Sequence, residues 1–272
     1  MKGRRQVVAH QQALVDYVLG LSNVRRKDVR FVILDGSTAE GKDRRYSDYD
    51  ISVVKKGSSG PKGPVKDLFA PTGLFRGRMV TGWLLDDESF KHRYLGDDDE
   101  QFAWRRRQLR KARLLYGNKR EFGRIIRGAL GRRWNRKRQV AVITHSYANM
   151  AEYMGKMLNK VEAHEDNVPE FYQDGYIIAA NFATLAAALN RIDLDSDKTM
   201  YRQILAEARV KPPHFGRDFG TVSGLSGKPR SRRAVLSASR RLLRWARRKV
   251  LELESPSFGD HGFRKMVQEI TF

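Results

Sequence analysis

The sequence has no cysteine among its 272 residues, which excludes disulfide bonds, thiolate metal sites and thiol nucleophiles. It also lacks long apolar runs, because no stretch approaches about 18 uninterrupted apolar residues. The first 18 residues break their apolar positions with Gln, His and Asp. We therefore expect no transmembrane helix, no signal peptide and a cytoplasmic protein.

Acidic residues are few relative to basic ones. The 31 Asp and Glu residues face 53 Lys and Arg residues, so the formal net charge is +22. Such a field attracts polyanions, nucleotides and anionic surfaces over a long range. Hydrophobic residues still make up 40% of the chain, enough to form a core, and the length suits two modest domains or one large one.

The first part of the chain has the periodicity of a mixed α/β domain. A helical pattern covers residues 6–22, and runs of strand-forming residues follow at 31–34, 49–54, 77–85 and 112–116. A Gly- and Pro-rich loop is predicted at residues 57–64.

The second part of the chain has a helical pattern with almost no strand signal. Predicted helices cover residues 139–161, 172–189, 199–208 and 232–253, and a loop is predicted at 211–230. We therefore predict an α+β protein with a mixed-sheet domain over residues 1–120 and a helical bundle domain over 121–272. The basic stretch 131–138 is the predicted linker.

One segment contains residues suited to phosphate chemistry. The first predicted strand runs into Gly36-Ser37, where backbone N–H groups and a hydroxyl would be available to phosphates. Asp48 and Asp50 lie two residues apart at the next strand, so both carboxylates face one side and suit a hard cation such as Mg²⁺. The alternative is a Gly-Ser turn followed by an Asp-rich loop, in which Asp48 only caps a turn.

The Gly-Ser pair followed by Asp-x-Asp resembles the signature of the nucleotidyltransferase superfamily related to DNA polymerase β. Within that superfamily the chain is most similar to kanamycin nucleotidyltransferase-like proteins, since residues 152–156 read Glu-Tyr-Met-Gly-Lys. The resemblance implies a nucleotidyltransferase-type catalytic domain followed by a helical domain, Mg²⁺ as cofactor, an NTP as co-substrate and a homodimer.

The resemblance also implies roles for individual residues. Gly36 and Ser37 would bind the nucleotide phosphates, and Asp48 and Asp50 would bind Mg²⁺. Glu152 would be the general base for the attacking hydroxyl. Lys156, which follows Glu152 by one helical turn, would contact phosphate. The alternative for Glu152 and Lys156 is an ordinary ion pair on a helix surface.

The chain departs from the family pattern at two places. Glu40 stands where the family often has arginine, so Lys42 would supply the cation for phosphate, with Arg44 as a second candidate. The strand that carries a third acidic residue in many superfamily members reads Met-Val-Thr-Gly-Trp here, at residues 79–83.

The predicted activity is transfer of a nucleoside monophosphate from an NTP to an unidentified hydroxyl acceptor, with release of pyrophosphate. One alternative is the same chemistry on an RNA or protein acceptor. Another is a noncatalytic RNA-binding or antitoxin-like protein of the same fold. Basic segments around Trp104, Trp134 and Trp245 resemble nucleic-acid grooves, although Arg-rich helix faces have the same pattern.

Overall fold

The computed structural model describes residues 2–39, 41, 47–57, 68–91, 94, 102–163, 168–195, 199–225, 227 and 230–253. The chain divides into two compact units. The first consists of residues 1–98 and 105–133, and the second of residues 99–104 and 134–272. In the described part of the chain, no helix is both long and apolar enough to cross a membrane.

The first unit contains a five-stranded mixed sheet. Its strands are β1 (Val29–Asp35), β2 (Tyr49–Lys55), β3 (Leu68–Phe75), β4 (Arg78–Leu85) and β5 (Arg113–Gly117). Their order in the sheet is β3-β4-β2-β1-β5, with β2 and β4 parallel and the other pairs antiparallel. The helices associated with them are α1 (Lys2–Leu21), α2 (Gly36–Ala39), α3 (Asp87–Phe90) and α5 (Lys119–Gly131). Helix α4 (Phe102–Lys111) has its first three residues in the second unit and the rest in the first.

Both faces of this sheet are covered by helices. Alternate residues of each strand point to opposite faces, so the central strands contribute to two hydrophobic clusters. On one face, Val32 and Leu34 of β1 pack in a cluster with Leu14 and Val18 of α1. On the other face, Phe31 packs in a second cluster with residues of α5. The central strands therefore carry nearly continuous apolar sequences, as strands buried on both faces require.

Helix α5 lies in the first unit. Phe122 is buried against Phe31, with ring centroids 5.5 Å apart. Arg30 of β1 donates to Glu121 at the start of α5 and to Asp87. Burial alone would lower the pKa of Arg30, but the hydrogen bonds to the two carboxylates outweigh it and raise that pKa. The predicted domain boundary at residue 120 stays a prediction.

The second unit is a bundle of helices. They are α6 (Arg136–Glu162), α7 (Val168–Asn190), α8 (Met200–Glu207), α9 (Phe215–Ser223) and α10 (Arg232–Leu251). Helix α7 is buried along much of its length and is rich in alanine, which permits close helix packing in this core. A mixed sheet followed by a helical bundle confirms the predicted α+β fold class.

The sequence analysis did not predict β3 or α9, nor the helices α3 and α4. Strand β3 contains Pro71 and Gly73, which disguise it, and it lies at the sheet edge, where proline is tolerated. The prediction of a loop over residues 211–230 is wrong for Phe215–Ser223, which forms α9. Most of the predicted loop 57–64, namely residues 58–64, lies outside the described residues.

Candidate active site

Gly36 stands at the centre of the candidate site, directly after β1. Its φ is +69°, a conformation that favours glycine. A Cβ added to Gly36 would lie 2.1 Å from Oδ2 of Asp50. The Asp50 carboxylate therefore occupies the space over this glycine, and a larger residue there would displace it.

Register in the sheet brings a second carboxylate to Asp50. Asp35, the last residue of β1, is the cross-strand partner of Asp50 in β2. Like charges directly opposite each other in antiparallel strands are destabilising. The Tyr94 hydroxyl donates to Oδ2 of Asp35 and lies 2.6 Å from the buried Ser52 hydroxyl. This end of the sheet thus concentrates negative charge on a partly buried surface.

Strand β4 supplies a hydroxyl to the candidate site. Thr81 is the parallel partner of Asp50, and its Oγ1 donates to Oδ1 of Asp50 at 3.2 Å. Among the described residues, no group of three or more His, Asp or Glu side chains comes together in a way that could hold a metal ion. The candidate metal ligands remain the two predicted carboxylates, Asp48 and Asp50.

Asp48 and Ser37 lie beside this end of the sheet. The Thr38 hydroxyl donates to the backbone carbonyl of Asp48 at 2.7 Å, so α2 holds the residue that precedes β2. Asp48 is half-buried, while Ser37 is exposed and its hydroxyl lies 3.4 Å from that of Ser47. The structure therefore brings Gly36, Ser37, Asp48 and Asp50 into one region of the first unit.

Arg78 donates hydrogen bonds to residues on both sides of the segment between α2 and β2. Its Nε donates to the Ser47 carbonyl at 2.8 Å, and its Nη2 donates to the Thr38 hydroxyl at 2.9 Å. Its guanidinium also lies 4.2 Å from the centre of the Tyr49 ring. Arg78 is therefore a positioning residue for Asp48.

His10 of α1 lies next to the Tyr49 hydroxyl, with Nε2 at 3.2 Å. Burial is the largest influence on this imidazole, and together with the charges of Arg76 and Arg78 it lowers the pKa of His10. The ring is accordingly neutral near pH 7. This part of the site therefore gains its positive charge from arginine.

Three residues named in the sequence analysis lie outside the described residues. They are Glu40, Lys42 and Arg44. The assignment of Lys42 as a phosphate-binding cation stays a prediction.

Glu152 and Lys156 belong to α6 in the second unit. Their side chains form an ion pair, with Lys156 Nζ 2.7 Å from Glu152 Oε1, and both are exposed. The hydrogen bond to Glu152 is the main cause that raises the pKa of Lys156. Lys156 also lies 4.1 Å from the centre of the Tyr153 ring. This geometry matches the helix-surface pair that was the alternative interpretation, and the catalytic role of Glu152 stays a prediction.

The carboxylate oxygens of the candidate site are suitable ligands for Mg²⁺. The ion prefers oxygen ligands and is commonly held by one or two carboxylates together with substrate phosphates. Asp48 and Asp50 offer two carboxylates, and the space above Gly36 is already occupied by that of Asp50.

The sequence analysis missed Asp35, Thr81 and Arg78 as members of the site. Asp35 could have been recognised from the sequence, because it ends an apolar strand immediately before the Gly-Ser pair. Thr81 and Arg78 could not have been recognised from the sequence, because their contacts arise from the parallel pairing of β4 with β2.

The aromatic rings in the basic segments pack within the second unit. The Trp104 indole donates to Thr184 at 3.2 Å, and that of Trp134 donates to Asp193 at 3.1 Å. Trp245 is buried, with 7% of its surface exposed. Trp245 is therefore a core residue, while the half-buried rings of Trp104 and Trp134 pack against the same core.

The chain is similar to the crystal structure of a nucleotidyltransferase-like protein from Exiguobacterium sibiricum 255-15, with a TM-score of 0.48 and 9% sequence identity. The similarity covers 97% of this chain and 81% of the other. At this level it carries no conclusion about fold family or chemistry. No known family profile and no curated protein matches the chain.

Proposed function

We propose that this protein transfers a nucleoside monophosphate from an NTP to a hydroxyl acceptor and releases pyrophosphate. The observation that carries the proposal is the position of Asp50, whose carboxylate lies over Gly36, opposite Asp35 and beside Thr81. Two carboxylates on facing strands, one of them packed over a glycine, form the kind of oxygen-donor site that Mg²⁺ bound to substrate phosphates requires.

The proposed roles follow the family resemblance. Gly36 and Ser37 bind the phosphates of the NTP, and Asp48 and Asp50 hold Mg²⁺. The ion, when bound, supplies positive charge against the phosphate oxygens. The net charge of +22 supports this proposal, since it attracts a polyanionic nucleotide.

Two further residues have proposed roles in proton transfer and phosphate binding. Glu152 accepts the proton of the attacking hydroxyl, so that the acceptor oxygen bonds to the α-phosphorus as the bond to pyrophosphate breaks. Lys156 and Lys42 add positive charge for the phosphates. The kanamycin nucleotidyltransferase-like subgroup, the homodimer and the cytoplasmic location are part of the same proposal.

The experiment that tests the proposal is incubation with each labelled NTP and Mg²⁺ in the presence of acceptor panels that include aminoglycosides, proteins and total RNA. Pyrophosphate release and a labelled acceptor are measured together. The wild type is expected to release pyrophosphate with at least one NTP and acceptor. Asp48→Asn and Asp50→Asn are each expected to reduce that release to background, because an amide is a poor Mg²⁺ ligand.

Asp28→Asn is the matched control, since Asp28 is also in the first unit and pairs with Arg25 at an exposed position. It removes the same charge from the protein but should keep wild-type turnover. Full turnover in the Asp50→Asn variant would refute the proposed role of this carboxylate.

A further inference from the structure

Helix α10 lies in a strongly one-sided charge environment. Between Asp218 and Glu252 the chain has ten Lys and Arg residues and no acidic residue. Eight of the ten occur within Arg240–Lys249 or the first turn of α10, so most of this charge is on one helix. This excess concerns the helical unit and does not depend on the proposed nucleotidyl transfer.

Four of the basic residues of α10 lie in a line along one face of the helix. Arg233, Arg240, Arg244 and Arg248 are all exposed and follow one another at intervals of seven, four and four residues; we call them the arginine row. Residues three, four or seven apart lie on one face of a helix. At about 1.5 Å per residue, the row is about 22 Å long.

The opposite face of α10 anchors the row. Val235, Leu242, Trp245 and Val250 are buried in the core of the second unit. Ser231 caps the helix by accepting a hydrogen bond from the N–H of Ala234 at 3.2 Å. The arginines are therefore presented by a rigid, capped helix, which reduces the entropy lost on binding a partner.

The described part of the fold makes no electrostatic use of the row. Within the described residues, its four side chains form no ion pair, whereas the neighbouring Arg241 makes two hydrogen bonds to the buried Asp218, at 2.8 and 2.9 Å. Like charges four residues apart destabilise a helix by about 0.2 to 0.5 kcal/mol per pair. Arg240 with Arg244, and Arg244 with Arg248, are two such pairs. The row thus costs stability and gains no ion-pair partner among the residues that the structure describes.

We infer that the arginine row binds the phosphate backbone of a double-stranded nucleic acid. Guanidinium groups bind phosphate through paired hydrogen bonds, and a straight row matches a regular line of phosphates. Single strands are bound mainly through base stacking on exposed aromatic rings, and Trp245, the one aromatic residue of α10, is buried. An anionic membrane is disfavoured because interfacial helices insert a large apolar face, and that face of α10 lies in the core.

Contacts limited to phosphates predict binding without sequence preference and with strong salt dependence. RNA and DNA duplexes of equal length should therefore bind with similar affinity, and a single strand should bind more weakly. The decisive measurement is fluorescence anisotropy of labelled duplexes of about 20 base pairs, titrated with the full chain over a range of salt concentrations.

The test variant is Arg244→Gln/Arg248→Gln. The control is Arg202→Gln/Arg209→Gln, which removes two exposed positive charges elsewhere in the same unit. The test variant should lower the slope of log K against log salt by about 2 and weaken binding at low salt by about tenfold or more. The control should keep the wild-type slope. Arg244→Lys/Arg248→Lys, which keeps the charge, should retain most of the slope.

Three outcomes would overturn the inference. In the first, the two double-Gln variants lose affinity equally, so that only net charge matters. In the second, the wild type binds a single strand as tightly as a duplex or prefers phosphatidylserine vesicles to nucleic acid. In the third, the wild type binds no duplex at low salt. Thermal unfolding of each variant shows whether a loss of binding comes from a loss of fold.

Discussion

At the scale of single residues, the position of Gly36 links the backbone to the chemistry. The chain turns there with a positive φ, and the Asp50 carboxylate fills the space that a side chain would need. The Asp50 carboxylate is also the proposed Mg²⁺ ligand. A change in the turn at Gly36 would therefore also move that ligand.

Gly36→Ala is therefore expected to abolish Mg²⁺-dependent NTP turnover and to lower the free energy of unfolding by about 1 to 3 kcal/mol. The loss combines strain at positive φ with displacement of Asp50. Turnover and urea unfolding are the measurements.

Gly57→Ala separates these two effects. Gly57 also has a positive φ, +83°, but a Cβ there would meet nothing within 4 Å. This control should lose about 1 kcal/mol of stability and keep its activity. Equal activity in the two variants would show that the contact between Gly36 and Asp50 has no functional role.

Glu152→Gln tests the proposed base. General-base assistance is worth about 10² to 10⁴-fold, so the variant should lose rate by that factor while its affinity for NTP is unchanged. Glu162→Gln, an exposed position on the same helix, is the control and should keep the wild-type rate. If Glu152→Gln retains full activity, its pair with Lys156 is only a helix-surface contact worth a few tenths of a kcal/mol.

At the scale of elements, Asp218 ties α9 to α10. Burial would raise the pKa of Asp218, but hydrogen bonds from Arg241 and Arg217 outweigh that effect and lower the pKa below its reference value of 3.8. A carboxyl whose pKa is lower in the folded state stabilises the fold above the unfolded-state pKa. That contribution is lost as the pH falls through the folded-state pKa.

Asp218→Asn should therefore lower the free energy of unfolding by about 1 to 3 kcal/mol at pH 7, since hydrogen bonds to a charged group are lost. The difference from the wild type should begin to shrink as the pH falls below about 4, where the unfolded-state carboxyl is protonated, and should be lost once the pH is below the folded-state pKa as well. Urea unfolding at pH 7 and at low pH measures both values. A difference that stays constant with pH would contradict the assigned pKa.

The periodic elements could be predicted from the sequence, and the irregular ones could not. Helix α1 and strands β1, β2, β4 and β5 follow apolar patterns that leave little choice of face. Helix α9 escaped prediction because Gly216 and Gly220 suggest a loop, while its burial against the bundle stabilises the helix. Tertiary packing decided that element, and a local pattern does not report tertiary packing.

The candidate site shows the same division. Gly36 and Asp50 could be named from the sequence because they occur in a short motif with a clear chemical purpose. Thr81 and Arg78 could not, because their approach to Asp50 and Asp48 depends on which strands pair and in which register. Strand order is a property of the folded sheet and is not visible in the spacing of residues.

At the scale of the whole molecule, the chain combines a sheet unit that carries the acidic site with a helical unit that carries the arginine row. The excess positive charge suits both proposed partners, because NTPs and nucleic-acid duplexes are polyanions. The two proposals can fail separately, since one is read from pyrophosphate release and the other from the salt dependence of duplex binding.

The central claim is that Asp50 and its neighbours hold a nucleotide together with Mg²⁺. Its most direct test is the dissociation constant of a non-hydrolysable NTP analogue, measured by calorimetry with Mg²⁺ and with EDTA, for the wild type, Asp50→Asn and the control Asp28→Asn. We predict that Mg²⁺ tightens binding at least about tenfold in the wild type and the control, and that Asp50→Asn loses this gain. Wild-type binding that is equal with and without Mg²⁺, or absent in both, would contradict the account.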